Sequence, residues 1–192
     1  METEKTLTHE ESLAIIMAMT KSAQKSFQDN SFYFLLWGWL TLLAVTSQFI
    51  MLEFLHYEKH YNAWWLMVLG VIGSCVQGYK DRKNKKVQSR IDDYVGYVWI
   101  AFGVMMFIVL SSMEIIGYKS AYALIIALYG LGTFITGGIL HFKPLIWGGV
   151  TCWILSFVAF HAPISVLLPD MGLAITIGYI IPGYMLKRAQ IA

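Results

Sequence analysis

The chain has 192 residues, of which 57% are hydrophobic and only 14% charged, with a formal net charge of +2. Together with a clearly positive mean hydropathy, this excludes an ordinary water-soluble domain, which needs more polar surface, and it gives no support to a nucleic-acid binder, which needs a strongly basic face. The length fits one compact all-α membrane domain, residues 31–192, preceded by a short cytoplasmic region, residues 1–30.

Taken in chain order, the first thirty residues carry acids and a broken apolar pattern, and so lack the basic start and apolar block of a removable signal peptide. Leu13, Ile16, Met17, Thr20, Ala23, Gln24 and Phe27 follow the i, i+3, i+4, i+7 spacing of one helical face, and Thr8 with Glu11 matches a capping box. An amphipathic helix over 8–28 is expected. Residues 1–28 hold four acids (Glu2, Glu4, Glu10, Glu11) against three cations (Lys5, Lys21, Lys25), which gives little attraction to anionic lipid. The stripe Leu13, Ile16, Met17, Thr20 and Phe27 is therefore read as a protein-binding face, for the chain's own cytoplasmic loops, a second copy or a different partner.

The stretches ESLAIIMAMTKSAQ and FYFLLWGWL, residues 11–24 and 32–40, resemble the start of small multi-pass bacterial membrane proteins of no known activity. The resemblance covers the first quarter of the chain best. It implies a bacterial inner membrane and assigns no functional residues.

A helix needs about 20 mostly apolar residues to cross a bilayer core. Six segments meet that length, near 31–55, 62–79, 94–116, 120–140, 144–161 and 164–186. They are continuous apolar runs without the two-residue alternation of barrel strands, so a six-helix bundle is expected. With the N-terminus inside, twelve of the Lys and Arg residues fall on the cytoplasmic side and only Lys59 and Lys119 outside, which places both termini in the cytoplasm. The basic run YKDRKNKKVQSR (79–90) then lies in an inner loop, and Lys80, Arg82, Lys83, Lys85, Lys86 and Arg90 are read as topology anchors that meet anionic lipid headgroups.

Within the spans, small residues four apart mark helix-packing seams: Gly70, Ser74 and Gly78; Thr133 and Gly137; Gly148, Cys152 and Ser156. Cys75 and Cys152 are read as small buried residues with no redox role. Asp92 and Asp93 start the third span, where acids suit a helix N-terminus. Three prolines, Pro163, Pro169 and Pro182, make the last segment irregular, either kinked at Pro169 or preceded by a re-entrant piece.

Ionisable and polar groups in spans are costly in lipid, so each is a functional candidate. Asp170, Glu114, Glu53 and Gln77 are the candidate path for a solute or proton, while Gln48 is read as an interhelical hydrogen-bonding group. Glu53, His56, His60 and His161 share the outer side as a weak metal-ligand set. No hydrolase, zinc-protease or phosphate-loop motif occurs, and no cofactor is expected. The function read from this pattern is non-enzymatic: a regulatory or assembly protein associating through its N-terminal helix. A small-solute transporter or channel is the alternative.

Overall fold

The structure, a computed structural model, describes residues 9–84 and 90–189, with side chains described for 31–80, 83 and 93–189. All regular structure among them is helical. In chain order it comprises α1 (His9–Glu53), a 3-10 segment (His60–Trp65), α2 (Leu66–Asn84), α3 (Arg90–Ser111), a single turn α4 (Met113–Ile116), α5 (Tyr118–Ile139), α6 (Lys143–His161), a 3-10 turn (Ile164–Val166), α7 (Leu167–Ile175), a π segment (Thr176–Ile180) and α8 (Ile181–Arg188). Among the described residues, five stretches are long and apolar enough to cross a membrane: Ser31–Glu53, Asp93–Ser111, Tyr118–Ile139, Lys143–His161 and Ile164–Arg188. Large apolar side chains such as Tyr97, Phe107, Trp147 and Phe157 point outward from them. Such a surface is a liability in water and costs nothing in lipid.

Two expectations change here. The second expected segment, 62–79, is divided between the 3-10 segment and α2. The α-helical part begins at Leu66 and runs into Lys80, Asp81, Arg82 and Lys83, so the helix taken alone is too charged to count as a span. The N-terminal helix is also not a separate element. α1 is unbroken for 45 residues, about 68 Å at 1.5 Å per residue, because no Gly or Pro occurs before Gly38 to interrupt it.

Small residues set the packing. α5 and α6 run antiparallel at very close approach: a Cβ on Gly130 would lie 2.9 Å from the Gly149 carbonyl oxygen, and one on Gly149 would lie 2.7 Å from that of Gly130. At the far end of α5, Phe142 N–H donates to the Gly137 carbonyl (2.9 Å) and His141 N–H to that of Gly138 (3.2 Å). This is a Schellman ending, with His141 (φ 51°) in the left-handed position that glycine usually takes. α6 meets the π segment through Gly148 and Gly178, where a Cβ on Gly148 would lie 2.6 Å from the Gly178 carbonyl oxygen.

α1 lies along α7 and α8, with Gly38 under Tyr179 and Ile180 and Gly183 under Phe34 and Leu35. It also carries α2: Trp37 Nε1–H donates to Ser74 Oγ at 3.0 Å, and Gly70 abuts Trp37 and Leu40. The expected seams therefore face the chain's own helices. Cys152 is buried as expected, but Cys75 is exposed, on the side of α2 turned away from α1. The last segment corrects its expectation too. Pro169 falls in the first turn of α7, where a missing N–H is tolerated, and the irregularity lies instead at 176–180, ahead of Pro182. Pro182 cannot donate to the Gly178 carbonyl, and the wider π turn lets the helix pass that point unbroken.

Candidate functional site

Polar groups from several helices converge about one turn below the end of the bundle that carries Glu53, Glu114 and His161, called here the distal end. The antiparallel pair α1 and α5 fixes the level. Thr41 Oγ1 and Tyr129 Oη share a hydrogen bond at 3.0 Å, and two turns further on Tyr122 Oη donates to Gln48 Oε1 at 2.8 Å. The same oxygen accepts from Trp64 Nε1–H at 2.6 Å, and Gln48 Nε2 lies 3.1 Å from His60 Nδ1. An indole nitrogen can only donate, so Trp64 fixes which end of the amide is oxygen. Gln48 must then donate its N–H to His60, whose Nδ1 accepts and whose proton sits on Nε2. Gln48 is only 5% exposed, and this network ties the 3-10 segment to α1 and α5.

Asp170 joins the same layer from α7. In the α6/α7 pairing Gly148 meets Gly178, and Cys152 Sγ–H points at the Ala174 carbonyl at 3.6 Å. One turn further toward the distal end, Ser156 comes level with Asp170. Ser156 Oγ–H donates to the Ala123 carbonyl of α5 at 2.8 Å. On the α1 side Gly172 lies against Leu42 and Val45, which puts Asp170 at the level of Val45 to Gln48. Asp170 is 4% exposed, its Oδ2 has no hydrogen-bond partner, and no cation pairs with it among the described residues. Thr136 Oγ1 is the other buried side-chain oxygen there without a partner, but a neutral hydroxyl is far cheaper to bury than a carboxylate.

Below this layer the core is dominated by aromatic rings. Tyr179 stacks on Phe34 with centroids 4.6 Å apart and meets Tyr129 at 5.3 Å and Trp99 at 6.0 Å. These rings and Met171, fully buried with Ala174 and Ile175, separate the polar layer from the opposite end of the bundle.

The residues expected from sequence fall as follows. Asp170 is inside. Glu53 and Glu114 are exposed at the distal end, and Gln77 sits half-buried near the opposite end of α2, so the four do not line one path. His60 is engaged by Gln48, His56 is exposed, and His161 Nδ1 lies 2.8 Å from the Phe157 carbonyl with its ring stacked on Phe157. No three His, Cys, Asp or Glu side chains gather as a metal ion requires among the described residues. Lys80 and Lys83 are exposed beside a groove of about 570 Å³ that also touches Cys75, Val76 and Tyr79. The side chains of Arg82, Lys85, Lys86 and Arg90, and of Leu13, Ile16, Met17, Thr20 and Phe27, lie outside the described residues. Sequence reasoning missed Trp64 and Tyr122, which look like ordinary interfacial aromatics, and gave Ser156 a packing role alone. The usable signal was Gln48, a polar side chain within an apolar run that needed donors from other helices.

Comparison with protein-family models, with curated proteins and with solved structures gave no match for this chain.

Proposed function

We propose that the chain is a non-enzymatic protein of the bacterial inner membrane with six spans and both termini in the cytoplasm, acting by association through its N-terminal helix in a regulatory or assembly role. The observation that carries this reading is the continuity of α1. A helix unbroken from the bilayer into the cytoplasm cannot fold flat onto the lipid surface, since smooth helix curvature is gentle. Its apolar stripe is thereby held away from lipid, where a second copy or a different protein can cover it. The sixth span is His60–Tyr79. Its 3-10 and α portions together reach about 33 Å at roughly 2.0 and 1.5 Å per residue, and it lines α1 from Gln48 through Trp37 to Tyr33. Lys80, Lys83 and the rest of the basic run then face anionic headgroups on the inner side.

Photo-crosslinkers placed at Ile16 and Met17 in native membranes test the association. A discrete adduct, absent when the probe replaces Ser22 on the opposite helical face, is the expected result. Equal, diffuse labelling from all three positions would defeat the reading.

A second reading, transport of a small solute, is favoured by one observation: Asp170 faces the bundle interior, not water. A buried carboxylate on an irregular last helix is how many carriers build a site. Solute flux in proteoliposomes, compared with Asp170→Asn, tests it.

A further inference from the structure

The geometry points to Asp170 as a proton-binding site that exchanges with the aqueous phase at the distal end of the bundle. The inference deepens the transport reading, and its test does not depend on any solute crossing.

An ionised carboxylate buried in a membrane-spanning helix is tolerated when a cation or several N–H donors compensate it. Asp170 has neither: Oδ2 is without a partner and no cation pairs with it among the described residues. The titratable groups turned toward its layer are the Cys152 thiol from α6 and the Tyr122 hydroxyl from α5, neither of which brings positive charge. α1 presents Gln48 there, and its nearest charged side chain, Glu53, is exposed at the helix end. The 3-10 turn Ile164–Val166 has no titratable side chain, and His161 is exposed and held to Phe157.

The hydroxyls at that level do not compensate it either. Ser156 Oγ–H and Tyr122 Oη–H are spent on the Ala123 carbonyl and on Gln48 Oε1, so neither donates to Asp170. A carboxylate can only accept, and the neutral acid is the form that avoids an uncompensated buried charge.

Access is one-sided. Asp170 lies in the first turn of α7, next to the exposed Pro169 and about one turn from the exposed Ile164, Ser165 and Val166, with the buried Leu167 and Leu168 between. Toward the other end it is backed by Met171, Ala174, Ile175 and the ring cluster around Tyr179, all buried. A proton taken up at Asp170 comes from distal water and returns to it.

A hydrophobic carbodiimide, dicyclohexylcarbodiimide, tests this, because it forms an adduct with a carboxyl group in a low-polarity setting only when that group carries a proton. The full chain in sealed, right-side-out vesicles would be labelled with the outside held at about pH 6 or about pH 9, and the adducts assigned by peptide mass spectrometry. The expected result is labelling of Asp170 on the order of tenfold above Glu53 and Glu114, falling steeply at the higher outside pH. Labelling of Asp170 indifferent to outside pH would overturn the exchange, and absence of labelling at Asp170 would overturn the proton. The experiment needs no variant, so misfolding cannot obscure it. Flux that fails while labelling titrates would remove the transport reading and leave the proton site standing.

Discussion

Gln48 shows how one side chain can decide the geometry of several others. Its amide oxygen takes two donors and its nitrogen serves His60, so Gln48→Ala strands three polar groups in a low-dielectric setting. Thermal unfolding in detergent should show a loss of about 1–3 kcal/mol. Gln48→Glu is the sharper test. It keeps an acceptor for Trp64 and Tyr122 and asks His60 to become a donor, so it should lose clearly less than Gln48→Ala. An equal loss would mean that the orientation of the amide deduced from Trp64 is wrong. At the same scale, Gln48 was legible in the sequence as an interhelical hydrogen bonder, while its partners were not. Tyr122 is 74 positions away, and nothing in either local pattern links the two.

At the scale of elements, close helix approach and one strained ending carry the predictions. A methyl group on Gly178 would run into Cys152 Sγ and the Gly148 carbonyl oxygen, neither of which can move without shifting a helix. Gly178→Ala should therefore destabilise by about 1–3 kcal/mol in the same unfolding assay. Gly138, in α5 with open space around its missing Cβ, is the control: Gly138→Ala should cost little. His141 holds a left-handed backbone conformation at the Schellman ending of α5, so His141→Gly should be neutral or stabilise by up to about 1 kcal/mol. A marked loss there would show that the imidazole makes a contact worth more than the strain. The seams of small residues were visible as spacing in the sequence, but their partners were not. Gly70, Ser74 and Gly78 serve α1 through Trp37 and Tyr33, and spacing alone fits a dimer contact equally well.

For the whole molecule the open quantity is the number of crossings. Five crossings put the termini on opposite sides and six put them together, so reporter fusions at each end decide the matter. The expected outcome is that a cytoplasm-active reporter works at both ends and a periplasm-active reporter at neither. Ser74→Leu adds a structural check. If His60–Tyr79 lies along α1 through the bilayer, a bulky side chain at the Trp37 contact should lower thermal stability by about 1–3 kcal/mol. Unchanged stability would detach this segment from the bundle.

The sequence by itself determined the helical class, the lengths of most apolar segments and the clustering of basic residues between two of them, because each depends on local quantities: apolar run length, the absence of two-residue alternation and the position of Lys and Arg. It also singled out Asp170, since a carboxylate in an apolar run is conspicuous wherever the helix points. Only the tertiary structure decided that Asp170 faces inward while Glu53 and Glu114 face out. It alone joined the N-terminal helix to the first span and gave Cys75 an exposed place. Each of these depends on which neighbour covers a given helix face. That is set by the register of antiparallel partners distant in sequence, such as Gly148 against Gly178 and Gln48 against Tyr122, and a register between distant helices leaves no mark in the local pattern of either one.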